Sequence, residues 1–121
     1  LMNSLIYFNS RDQLIRLNVG SIVFFEADGN YTNIITTNKH KTCITKNLSY
    51  TEHALATQLE NASSLFMRIG KRFVVNMKYI YLIDIQKQQL LLSDYNNFMF
   101  KIPISKEALK KVKELIIKIK I

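Results

Sequence analysis

Apolar and polar positions alternate in short runs along most of this chain, and that alternation predicts strands. Leu5–Phe8 and Gln13–Leu17 flank Asn9, Ser10, Arg11 and Asp12, a turn-forming set, and read as a hairpin. Ser21–Ala27 is a strand that starts after Gly20. Asp28-Gly29-Asn30 is the strongest turn signal, because Gly and Asn tolerate positive φ. Tyr31–Thr37 follows, rich in β-branched residues, and Asn38-Lys39-His40 turns the chain into Lys41–Thr45. After an internal helix come Leu65–Asn76, read as one continuous segment, then Tyr79–Ile85, Gln89–Ser93 and Phe98–Ile102, with turns at 84–88 and 94–97. Short strands joined by turns, without long helical crossovers, imply mostly antiparallel pairing.

Two segments break the period. Ser49 and Glu52 have capping-box spacing, and Leu55 and Leu59 give the helix behind them a short apolar stripe that ends near Glu60-Asn61. Leu109, Val112, Leu115, Ile116 and Ile119 recur at three- and four-residue steps, which predicts an amphipathic C-terminal helix opening at Ser105, with Pro103 just before it. No linker, low-complexity tract or internal repeat interrupts the pattern, so residues 1–121 read as one domain.

Composition narrows the function. At 121 residues and 48% hydrophobic, the chain can bury a core. Seventeen Lys and Arg against nine Asp and Glu give a net charge of +8, which favours DNA, RNA or an anionic membrane as partner. The single cysteine, Cys43, excludes an internal disulfide and a Cys-based zinc site, fits a reducing cytoplasm and reads as a small strand residue. No apolar run approaches the ~18 residues needed to span a bilayer, so no membrane insertion is expected.

Candidate chemistry concentrates in Phe66–Asn76. Apolar anchors at Phe66, Ile69, Phe73, Val74 and Val75 alternate with Arg68, Lys71 and Arg72, holding cations at fixed places on a buried scaffold. Glu26, beside Phe24 and Phe25, has no second carboxylate, His or metal ligand at a useful spacing, so it reads as an internal salt-bridge or hydrogen-bond partner rather than a catalytic acid. Asn76 reads as structural, capping a turn or satisfying buried backbone. His40 and His53 read as surface residues. No paired carboxylates, no nucleophile with its base and no phosphate-cradling glycine loop are visible, so neither an enzyme, a cofactor nor a metal is expected.

Four of these pieces, in order, resemble the LytTR family, the DNA-binding output domain of many bacterial response regulators. They are Ile22–Tyr31 (apolar strand, Glu, then Gly-Asn-Tyr), the Phe66–Asn76 block with its basic pair and Phe-Val-Val-Asn, Tyr79-Ile with Leu90–Leu92, and Ile102-Pro-Ile-Ser-Lys106 before the last helix. Leu48 and the helix to Leu59 resemble the family's internal helix. The likeness runs from about Leu14 to Leu115. Gly70 departs from it, because many members carry His there. The resemblance implies stacked antiparallel β-sheets with one short internal helix and a C-terminal helix. It also implies cytoplasmic transcription regulation, with loops entering successive major grooves of double-stranded DNA. Typical targets are direct repeats that hold a second copy, and an N-terminal receiver or sensor domain is a further possible partner.

The resemblance places three segments at the DNA. Asn30 can pair bidentately with adenine, and Tyr31 can reach a phosphate or a thymine methyl, although Gly29-Asn30 also serves the hairpin. Lys71 and Arg72 suit guanine edges or phosphates; the bland alternative is a solvated face. Ser105 caps a helix whose N-terminus suits a phosphate, and Lys106 in its first turn opposes the helix dipole, an argument for an anionic partner. Lys46 and Lys78 are possible phosphate contacts. Arg68 reads equally as a DNA contact or as the partner of a carboxylate such as Glu26. The competing readings are a non-specific or RNA-binding basic β module stacking bases on Tyr7, Phe8, Phe24, Phe25 and Tyr31, and a membrane-surface module using the final helix.

Overall fold

A computed structural model describes residues 4–120; both ends of the expected 1–121 domain lie outside the described residues. Among the described residues, ten strands form three antiparallel sheets. The central sheet has five strands in the order β5-β4-β3-β7-β6, with β3 at Ile22–Asp28, β4 at Tyr31–Thr36, β5 at Lys41–Ile44, β6 at Phe66–Ile69 and β7 at Phe73–Asn76. On one face lie the β1–β2 hairpin (Leu5–Asn9, Leu14–Asn18) and helix α1 (Leu48–Gln58). On the other lie the sheet β8-β9-β10 (Ile80–Asp84, Gln89–Ser93, Met99–Pro103) and helix α3 (Lys106–Ile119). The expected mainly β architecture of stacked antiparallel sheets is therefore present.

Strand alternation splits the core into two clusters. Phe25, Ile34, Phe66 and Val74 face Ile6, Phe8, Leu48 and Leu55 on the α1 side. Phe24, Ile35, Ile69, Phe73 and Val75 face Leu90, Leu92, Ile102, Leu109 and Val112 on the α3 side. Successive side chains of β7 thus alternate between the clusters, as period-two geometry requires. A register shift between Ile22 and Phe24 puts consecutive Val23 and Phe24 into the same cluster.

Three expectations are corrected. Phe66–Asn76 is not one segment but a hairpin: Phe66 pairs with Asn76 and Ile69 with Phe73, and Gly70, at φ 67°, supplies the left-handed turn residue. The α1 cap is Asn47, whose side chain accepts from the Tyr50 N–H at 2.9 Å; Ser49 lies inside the helix, and Glu52 turns to Arg68 instead of reaching back to complete a capping box. A short helix, α2 (Ala62–Leu65), sits between α1 and β6, where the pattern predicted none.

Side chains close the remaining backbone. The buried Asn76 amide donates to the Ile22 carbonyl at 2.9 Å and its oxygen accepts from the Lys78 N–H at 3.1 Å, serving both roles read for it. From α1, Gln58 accepts from the Tyr7 N–H at 2.9 Å and donates to the Tyr7 carbonyl at 2.8 Å, while the Tyr50 hydroxyl donates to the Asn9 carbonyl at 3.0 Å. The outer edge of β1 is thereby occupied by side chains.

Candidate nucleic-acid interface

Strand order brings the candidate segments to one end of the central sheet. β3 pairs with β7 through Phe24↔Val75, Phe25↔Val74 and Glu26↔Phe73, so the β3–β4 turn and the β6–β7 turn leave the sheet side by side. The Ala27 N–H donates to the Arg72 carbonyl at 2.8 Å and ties the two turns together. Two further rungs, Ala27↔Thr32 and Asp28↔Tyr31, carry the β3–β4 hairpin roughly 7 Å past the last rung shared with β7.

At that tip Gly29 has φ 61°, whereas Asn30 is not among the residues with positive φ. Glycine at the first central position is the pattern of a type II′ turn, and this pattern makes no conformational demand for Asn at the second. Asn30 is exposed, and Tyr31 presents its ring to solvent at 49% exposure.

The β6–β7 turn is held from both faces of the sheet. On the α3 side, Glu26 Oε2 accepts from Arg72 Nη2 at 3.2 Å, and the Arg72 guanidinium lies 5.5 Å from the centre of the Phe73 ring. On the α1 side, Arg68 donates through Nη1 to Glu52 and through Nη2 to the Lys71 carbonyl at 2.7 Å. Glu26 does form the internal salt bridge expected of it, but with Arg72; Arg68 is intramolecularly paired, but with Glu52. Lys71 and Arg72 remain exposed.

A cleft of about 290 Å³ joins this turn to the start of α3, lined by Ile69–Phe73 and Pro103–Ser105. Ser105 caps α3 as expected, its Oγ accepting from the Ala108 N–H at 3.2 Å, and Lys106 is exposed beside it. On the other flank, β4 pairs with β5 through Thr32↔Ile44, and Thr32 Oγ1 donates to the Lys46 carbonyl at 2.8 Å. That fixes exposed Lys46 at the same end of the sheet, its ammonium 5.3 Å from the centre of the Tyr50 ring. The β1–β2 turn flanks it, since Arg11 and Gln13 line a shared cleft with Thr45 and Lys46. Arg11 was missed in sequence because nothing in its own turn indicates what that turn packs beside. Lys78 is placed apart, in a short 3-10 turn that follows Asn76 at the opposite end of β7.

Asn30, Tyr31, Lys46, Lys71, Arg72, Ser105 and Lys106 thus share one end of the molecule, from which Lys78 is excluded. Of the five aromatics proposed to stack bases, Phe8, Phe24 and Phe25 are 3%, 5% and 0% exposed, which leaves only Tyr7 and Tyr31 open. The apolar stripe of α3 is buried at Leu109 and Val112. Among the described residues, no helix is long and apolar enough to cross a membrane.

No curated protein matches this chain in sequence. Among solved structures, it is similar to the LytTr DNA-binding domain of a protein from Bacillus cereus described as a methyl-accepting/DNA response regulator. The TM-score is 0.64 at 20% identity, covering 93% of this chain and 96% of that one. The sequence model for the LytTr DNA-binding domain matches residues 12–117. The chain belongs to the LytTR family of DNA-binding domains.

Proposed function

We propose that this chain is a cytoplasmic, sequence-specific binder of double-stranded DNA that acts in bacterial transcription regulation. The observation that carries the reading is the convergence of the Asn30-Tyr31 turn, the Lys71-Arg72 turn and the Ser105-Lys106 helix start at one end of the central sheet. Charge of +8 supplies the long-range attraction. The exposed tip of the β3–β4 hairpin stands at the end of the sheet beside the β6–β7 turn, where it can enter a major groove about 8.5 Å deep. In this reading Asn30 and Arg72 read bases, while Tyr31, Lys71, Lys46 and Lys106 contact bases or phosphates and Ser105 offers the helix N-terminus. The turns enter successive major grooves, and direct repeats hold two copies. An N-terminal receiver or sensor domain is the natural source of control, in line with the response-regulator description of the Bacillus cereus protein.

Selection from a randomised duplex library tests this. A recovered motif, repeated at about one helical turn and bound far better than a scrambled duplex at two salt concentrations, is the expected result. Equal, steeply salt-dependent binding to both duplexes would leave only a non-specific basic domain.

A further inference from the structure

Arg68 sits on the strand that leads into the Lys71-Arg72 turn, and its guanidinium is committed to partners within the chain although the residue is exposed. Pairing of Arg68 with Val74 puts it on the α1 face, where Nη1 bonds Glu52 and Nη2 bonds the Lys71 carbonyl at 2.7 Å. The two side chains are 36% and 38% exposed, against 95% and 86% for the Arg11–Asp12 surface pair. Arg can do this because its planar fork presents several N–H donors in fixed directions; a lysine ammonium on a flexible stem cannot reproduce it. The next carbonyl, that of Arg72, is already held by the Ala27 N–H. Consecutive carbonyls of one turn are therefore fixed, one by Arg68 of β6, itself bonded to Glu52 of helix α1, and one by the Ala27 N–H of strand β3.

We infer that Glu52 and Arg68 form a positioning strut that sets the Lys71-Arg72 turn before DNA arrives, and that neither touches DNA. The inference rests on the DNA-binding reading above. Its physical content is preorganisation: a turn already held in its bound shape gives up less conformational freedom on binding. The strut also accounts for why a carboxylate is kept close to an interface meant for an anion.

Glu52→Gln separates this from plain electrostatics. Removing a negative charge near the interface should tighten DNA binding if only long-range charge matters. The strut predicts the reverse, a roughly threefold to tenfold loss on the selected duplex, the scale expected for freeing one or two ordered side chains. Arg68→Lys keeps the charge and should show a similar loss, with the double variant little worse than either single one. The slope of log affinity against log salt should stay at the parent value in Arg68→Gln, because no phosphate contact is lost. Amide hydrogen exchange across residues 70–73 without DNA should quicken in all three single variants while the global melting temperature changes little. Parent-like or tighter binding by Glu52→Gln overturns the inference, and so does a slope reduced by about one unit in Arg68→Gln, which would make Arg68 a phosphate contact. If the parent itself shows no sequence preference, the functional reading fails instead, and the exchange data alone decide the strut.

Discussion

Arg72 holds two relationships at once. Its guanidinium bonds Glu26 at 3.2 Å and lies over Phe73, yet its side chain is 59% exposed. A carboxylate that holds one edge of the fork leaves the remaining donors oriented for a planar acceptor such as guanine O6 and N7. Replacing Arg72 with Ala should cost about 1–3 kcal/mol at one base step and relax specificity there, measured as affinity for single-base variants of the selected duplex. Equal loss on cognate and scrambled duplexes would remove Arg72 from base reading. Asp94, far from this site, offers a stability test. Its carboxyl is held down to about 2 by the backbone N–H of Asn97, with further donation from the Asn96 N–H, the Asn97 side chain and the Phe98 N–H. A folded-state value below the ordinary 3.8 stabilises the fold above that pH, and the contribution fades as pH falls toward 2. Asp94→Asn should therefore lower stability at neutral pH and flatten its decline between pH 4 and 2, read by denaturant titration across that range.

At the scale of elements, helix α3 serves the core and, in the proposed reading, the DNA interface as well. Leu109 and Val112 anchor it against the β8–β10 sheet, while its capped N-terminus opens beside the β6–β7 turn. Lys106→Ala should weaken binding to all duplexes alike and lower the salt slope by about one unit, because a phosphate contact carries no sequence information. Elements of this kind were legible in the sequence wherever local chemistry decides them. The Ser105 cap, the Asp28–Asn30 turn and the apolar repeat of α3 each announce themselves within a few residues. The β6–β7 hairpin did not, because the apolar run continues across the turn and only Gly70 marks the break. The α1 start was misplaced because Asn47 and Ser49 are both good caps; the fold uses Asn47, with Leu48 buried as the first helical residue. The Arg72–Glu26 pair lies beyond sequence reading altogether. The two residues are 46 positions apart and meet only because β3, paired with its sequence neighbour β4 along one edge, pairs with the distant β7 along the other.

For the whole molecule, the sheet order decides which cations act together. Lys46 and Lys78 are both basic residues near a strand end and look equivalent in sequence. The fold puts Lys46 at the end that carries the turns and Lys78 at the other. Lys46→Ala should reduce the salt slope of DNA binding, whereas Lys78→Ala should leave slope and affinity near the parent values, with fluorescence anisotropy at several salt concentrations as the check. A comparable loss for Lys78→Ala would mean that the duplex wraps further around the domain than the shared end allows. Direct repeats would bring two such domains to high local concentration, the condition under which an unpaired strand border recruits a neighbour's backbone. Gln58 forestalls that along β1. Its amide group copies the donor and acceptor of one peptide unit, so the rung at Tyr7 is already taken by a side chain of the same molecule. If two copies do occupy adjacent repeats as proposed, this closed rung keeps them separable along β1, so that each can leave the duplex by itself.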